Sequence, residues 1–171
     1  MRVIIFSILL LDKEALALIK KFCLVTGASS HSDELLCFDR ALINAGVGDY
    51  NHVKVSSILP AGAQRMKTVD AKPGAILYSA FATLTNNADK TFSSAVAVGI
   101  PEEKNCIGVI MEYSGFVEKD YAKNKAEEMV KDAMKIRDIQ ISEIISISIQ
   151  STNDRHENLF KTTFAGLVMW E

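Results

Sequence analysis

Near its C-terminus the chain changes hydrophobic period. From Glu118 to Arg137 the sequence is strongly charged, yet Ala122, Ala126, Met129, Val130, Ala133 and Ile136 recur every three or four residues. That spacing predicts an amphipathic helix whose Lys and Glu residues form a solvated face. Shortly afterwards Ile145, Ile147 and Ile149 alternate with Ser146, Ser148 and Gln150, which predicts a half-buried strand. A helix with one apolar stripe beside a strand with one apolar face constrains the chain to a mixed α/β fold.

The rest of the sequence extends this pattern. Phe22–Thr26 reads as a strand ending at Gly27, and Ala28–Asp33 as a polar loop whose Ser and Asp side chains can cap a helix. Leu35, Leu36, Phe38, Leu42 and Ile43 supply that helix with an apolar face, and Gly46 is placed to end it. From Tyr50, Val53 and Val55 alternate with His52 and Lys54 as in a half-buried strand, which Pro60 stops. Ala61–Pro73 reads as a surface connection. Further strands are expected at Ala75–Ala82, Thr91–Ile100, Cys106–Tyr113 and Phe164–Trp170, with polar turns at Asn86–Lys90 and Pro101–Asn105 and a polar loop at Ser151–Asn158. The apolar run Met1–Leu11 is closed by Asp12, Lys13 and Glu14, too short to span a bilayer and without a cleavage signal directly after it. It reads as a buried strand, with secretion through this run as the alternative, and is followed by a short helix over Glu14–Lys21.

Composition narrows the function. The 171 residues suit one domain, 1–171, and 49% hydrophobic content excludes a disordered chain. With 19 Lys+Arg against 21 Asp+Glu, the chain lacks the basic excess of a nucleic-acid binder. Cys23, Cys37 and Cys106 have neither zinc spacing nor an even count, and read as buried apolar residues in a reducing cytoplasm. His31, His52 and His156 have no metal-ligand spacing, so no metal site is expected. Ser29, Ser30 and His31 lack a nucleophile elbow, and Gly46-Val47-Gly48 follows a helix, where a dinucleotide fingerprint would follow a strand.

Three segments carry a more specific signal: Phe38-Asp39-Arg40-Ala41-Leu42-Ile43-Asn44-Ala45-Gly46-Val47-Gly48-Asp49-Tyr50-Asn51, then Val55-Ser56-Ser57-Ile58-Leu59-Pro60, then Gly108-Val109-Ile110-Met111-Glu112-Tyr113. In order and spacing, from about Phe22 to the C-terminus, the chain resembles the pyruvoyl-dependent arginine decarboxylase family. The resemblance implies an αββα sandwich, assembled as a trimer of αβ protomers or a pair of such trimers, with active sites between neighbours.

It also implies self-cleavage between Ser56 and Ser57. The Ser57 hydroxyl would attack the Ser56 carbonyl in an N-to-O acyl shift, and β-elimination followed by hydrolysis would leave a pyruvoyl group in place of Ser57. The products would be a β chain, 1–56, and an α chain, 57–171. Asn51 matches the family position that donates a hydrogen bond during processing. The covalent pyruvoyl would be the only cofactor, with no pyridoxal phosphate and no metal, and would act as electron sink for decarboxylation of L-arginine to agmatine. Glu112 would be the proton donor, its pKa raised by its apolar neighbours. Asp39 would receive the substrate guanidinium, Leu42 would pack on its aliphatic part, and Gly48 would allow close backbone approach. Each has a plain structural alternative: a turn amide for Asn51, a solvent-facing carboxylate for Glu112, a helix-surface residue for Asp39, and ordinary packing for Leu42 and Gly48. Arg40 and Tyr50 are bulkier than the family pattern at their positions. Two other functions remain: decarboxylation of a different amino acid, and an uncleaved, non-catalytic oligomeric binding protein of the same fold.

Overall fold

The computed structural model describes residues 19–152 and 159–171. The Met1–Leu11 run, most of the Glu14–Lys21 segment and most of the Ser151–Asn158 loop lie outside them. In chain order the elements are β1 (Lys21–His31), α1 (Glu34–Asn44), β2 (Asn51–Lys54), β3 (Ile58–Leu59), β4 (Gln64–Arg65), β5 (Ile76–Asn86), β6 (Thr91–Pro101), β7 (Gly108–Gly115), α2 (Lys119–Ile136), β8 (Ile141–Thr152) and β9 (Phe160–Trp170). They form a five-stranded sheet ordered β2-β5-β9-β1-β4 and a four-stranded sheet ordered β3-β7-β6-β8.

The two sheets face each other across a core of Phe22, Leu59, Ala80, Val96, Val98, Ile110, Ala165, Leu167 and Met169. Burying a Phe or Leu side chain of this kind contributes about 1.5–3 kcal/mol. α1 covers the outer face of the five-stranded sheet through Ala41 on Cys23, Leu77, Phe164 and Val168. α2 covers the outer face of the four-stranded sheet through Ala122, Ala126, Val130 and Met134 on Ala95, Ala97 and Val109. Small residues on both sides bring α2 close: a Cβ added at Gly99 would stand 2.7 Å from Val130 Cγ1. Central strands are thus covered on both faces, which is why Phe22–Val25 and Leu167–Trp170 read as continuous apolar runs rather than alternating ones.

Several local expectations are corrected. β1 does not end at Gly27 but runs to His31, pairing Ala28 with Thr163 and Ser29 with Thr162 along β9. Gly27 is instead a point of close approach, where a Cβ would lie 2.0 Å from the Ala41 carbonyl oxygen of α1. Asp33 caps α1 as expected, accepting from the Leu36 amide at 2.9 Å. Gly46, at φ 76°, follows the helix in the left-handed conformation. The buried face of α1, however, is Cys37 and Ala41, while Leu35, Leu36 and Ile43 are 74%, 52% and 56% exposed. In α2 the buried stripe ends on Met134, and Ile136 faces outward. In β2 the alternation is inverted: Val53 is exposed and His52 points inward.

Candidate active site at the sheet crossover

β2 and β3 are edge strands of different sheets, so Val55, Ser56 and Ser57 carry the chain from one sheet to the other. The last tie to the first sheet is Val55 N–H to the Ser79 carbonyl, 3.1 Å. The first tie to the second is Ile110 N–H to the Ser57 carbonyl, 2.7 Å. Between them the Ser56 carbonyl accepts from Ile58 N–H at 3.0 Å, a three-residue turn centred on Ser57. Ser56 is exposed and Ser57 partly buried. Among the described residues the Ser57 hydroxyl makes no hydrogen bond.

Glu112 stands two residues beyond Ile110 on β7, opposite Val96. Period two gives it the same face as Ile110, toward the other sheet. Burial pushes its carboxyl above the usual range, while the Lys54 ammonium and its own backbone amide pull it back down. Lys54, three residues before Ser57, folds over the Phe81 ring with Nζ 4.7 Å from its centre. Sequence reasoning passed over Lys54 because an alternating lysine in an edge strand has no local mark separating it from a solvated one.

The remaining sequence-predicted residues form a second group. Asn51 is at the start of β2, and its amide donates to the Gly74 carbonyl at 2.8 Å, not to the serine pair. Three residues of strand, about 10 Å at 3.3 Å per residue, separate it from Lys54. Leu42 packs in the cluster beneath α1, and its carbonyl accepts from Val47 N–H at 3.0 Å. A Cβ at Gly48 would lie 2.5 Å from Ile43 Cγ1 and 2.8 Å from the Ile43 nitrogen, so this glycine lets the turn pack on the helix end. Asp39 is exposed on α1, on the helical row of Leu35 and Ile43. Tyr50 turns into the same cluster as Leu42, its hydroxyl donating to the Ala71 carbonyl at 3.1 Å. The chain by itself therefore brings together Ser56, Ser57 and Glu112 and holds Asn51, Asp39, Leu42 and Gly48 apart from them.

His52 binds this second group to the sheet. Its Nε2 lies 2.9 Å from the Val47 carbonyl, which can only accept, so Nε2 carries the hydrogen; in the neutral ring Nδ1, 2.9 Å away, then accepts from the Ser79 hydroxyl. The ring also meets Phe164 edge-on. Among the described residues no group of three or more His, Cys, Asp or Glu is placed to hold a metal.

The family model described as pyruvoyl-dependent arginine decarboxylase matches residues 21–171. The chain belongs to the pyruvoyl-dependent arginine decarboxylase family. It is 32% identical over 148 residues to the pyruvoyl-dependent arginine decarboxylase of Methanocaldococcus jannaschii, covering 86% of this chain and 87% of that one. It is 34% identical over 148 residues to the enzyme of Methanococcus aeolicus, with 86% and 87% covered. The Pyrococcus abyssi enzyme is 32% identical over 139 residues, covering 78% of this chain and 85% of its own. The residues present fit the prosthetic group of a pyruvoyl-dependent decarboxylase: a serine pair in a connection between sheets, an uncommitted Ser57 hydroxyl, and a hydrogen-bonded carbonyl before it.

Proposed function

We propose that this chain cleaves itself between Ser56 and Ser57 and then decarboxylates L-arginine to agmatine and carbon dioxide. The observation that carries this reading is the tie of Ser57 to β7 at 2.7 Å, which sets the cleavage pair on the strand that carries the half-buried Glu112. Family membership and the relatives' shared description support the substrate.

A pyruvoyl group at position 57 supplies an electron sink for the carbon that loses carbon dioxide. The chain's own residues do the rest. Glu112, whose desolvation favours the protonated form, offers its carboxyl proton to that carbon. Asp39 offers a carboxylate to the guanidinium, Leu42 and Gly48 shape the pocket beside it, and Asn51 assists processing. α1 lies outside the five-stranded sheet, with Asp39 on its far side, while Glu112 belongs to the other sheet, about 10 Å beyond. A site using both groups needs a neighbouring protomer. The exposed Leu35, Leu36 and Ile43 around Asp39 suit such a junction, in the trimer of αβ protomers that the family resemblance implies. Among the described residues no helix is long and apolar enough to cross a membrane. The three cysteines are free, as suits the cytoplasmic location proposed for this enzyme.

Intact-mass measurement of the purified chain tests the reading, followed by carbon dioxide release from a panel of amino acids. The expected result is two polypeptides, 1–56 and 57–171, the second with a carbonyl at its N-terminus, and release from arginine above the other amino acids. Ser57→Ala is expected to stay one chain of 18.8 kDa without activity. A wild-type chain that stays whole on long incubation refutes the proposal.

A further inference from the structure

The register of β3 on β7 leaves one backbone donor unused by the ladder. Ile58 pairs with Val109 and Leu59 with Gly108, while Ile110 N–H reaches the Ser57 carbonyl. In an antiparallel pair, residues that exchange hydrogen bonds alternate with residues that do not. Ser57 opposite Ile110 is of the first kind, and Ile58 opposite Val109 of the second. The Ile58 N–H therefore points off the sheet edge, where β3 has no further neighbour. It is nevertheless engaged, donating to the Ser56 carbonyl oxygen at 3.0 Å.

That oxygen is where negative charge develops in self-cleavage, and the geometry points to the main-chain N–H of Ile58 as the oxyanion donor of the acyl shift. This inference rests on the self-cleavage proposed above and adds the group that drives it. Attack by Ser57 Oγ forms a C–O bond to the Ser56 carbonyl carbon and closes a five-membered ring through Cβ, Cα and N of Ser57. The carbonyl electron pair moves onto the oxygen that Ile58 N–H already holds. Collapse of the ring breaks the Ser56–Ser57 C–N bond, and the hydroxyl proton ends on the Ser57 nitrogen, so the shift is an isomerisation that consumes nothing. In the following elimination the Ser57 Cα proton and the Ser56 carboxylate leave, and water then replaces the nitrogen as ammonia.

The surrounding contacts hold this donor before the reaction begins. Leu59 is 3% exposed in the inter-sheet core and anchors β3 from one side, and the 2.7 Å bond from Ile110 fixes Ser57 from the other. A donor held in place in advance needs no reorganisation when the charge forms. The side-chain amide of Asn51, bonded to the Gly74 carbonyl, is not in position for this in the same protomer. Any part it takes comes from a neighbour or a later step.

The test is the rate of chain cleavage, read by intact mass in full-length protein. Replacing the Ile58 amide with an ester through the matching α-hydroxy acid removes the N–H and keeps the side chain, and the Ser57 carbonyl remains an acceptor for Ile110, though a weaker one. The expected result is cleavage slowed about 10²–10³-fold, the usual cost of one oxyanion donor. Ile58→Pro also removes the N–H, and an edge position tolerates proline; it is expected to slow cleavage likewise. Ile58→Ala, which keeps the N–H, is expected to cleave within a few-fold of wild type. An ester variant that folds by circular dichroism and cleaves at the wild-type rate overturns the inference and leaves the decarboxylase reading intact. A wild-type chain that never cleaves removes both.

Discussion

Ile110 donates its backbone N–H to the Ser57 carbonyl at 2.7 Å, and two residues further on the same strand Glu112 shares the face of the Ile110 side chain, toward the other sheet. One hydrogen bond of a sheet edge thus links the serine pair proposed to cleave with the group proposed to finish the reaction. β3 is only two residues long, so this bond and the buried Leu59 hold the spacing between them.

Glu112→Gln separates chemistry from stability. Loss of a general acid typically costs 10²–10⁴-fold, and we expect a fall in kcat of about that size with little change in arginine KM. Burial raises the folded-state pKa of Glu112, so the fold penalises its carboxylate. That penalty is absent below the pKa of the unfolded chain and grows as pH rises through the folded value. Gln escapes it, so the variant is expected to melt higher than wild type at neutral pH and no higher in acid. Thermal melts across pH check the sign.

Lys54→Met addresses the same carboxyl from outside. The ammonium favours the charged form of Glu112, so its removal raises that pKa further. The proton donor then stays protonated to higher pH, and the basic limb of the kcat profile is expected to move upward. Loss of the contact with Phe81 costs about 0.5–1 kcal/mol as well. A basic limb that does not move removes Lys54 from the site.

Gly48→Ala asks what the glycine is for. The added Cβ would fall 2.8 Å from the Ile43 backbone nitrogen, a neighbour that cannot swing aside. Overpacking of this kind costs about 1–3 kcal/mol, a drop of several degrees in Tm for a chain this long. A raised KM with an unchanged Tm would instead mark Gly48 as a ligand contact alone.

Asp70 ties the start of β1 to the end of β9. Its Oδ1 accepts from Trp170 Nε1 at 2.6 Å, and its Oδ2 lies 2.9 Å from Lys21 Nζ. These hydrogen bonds from Lys21 and Trp170 hold its carboxyl below the usual range. The stabilisation is present above the unfolded pKa and lost as pH falls through the lower folded one. Asp70→Asn is therefore expected to lower Tm at neutral pH, with the gap to wild type closing in strong acid.

Local pattern and resemblance reached a definite part of this protein. The 3.6 period between Glu118 and Arg137, the cap at Asp33 and the stop at Gly46 are properties of neighbouring residues, and the folded chain keeps all three. The family motifs likewise named Ser56, Ser57 and Glu112, whose order along the chain carries the resemblance. What the sequence could not express is which face of an element is covered. Val53 and His52 alternate in β2, and local hydrophobicity favours Val53 as the buried one. Only the packing of Phe164 and Ser79 on one side of that edge strand turns His52 inward. The same reason exposes Leu35 and Ile43, buries Ala41 and brings Lys54 to Glu112. Sequence determined the helical period, the cap, the stop and the residues that carry the resemblance; the pairing of β2 and β3 with different sheets decided where those residues meet, because strand pairing joins positions far apart in the chain.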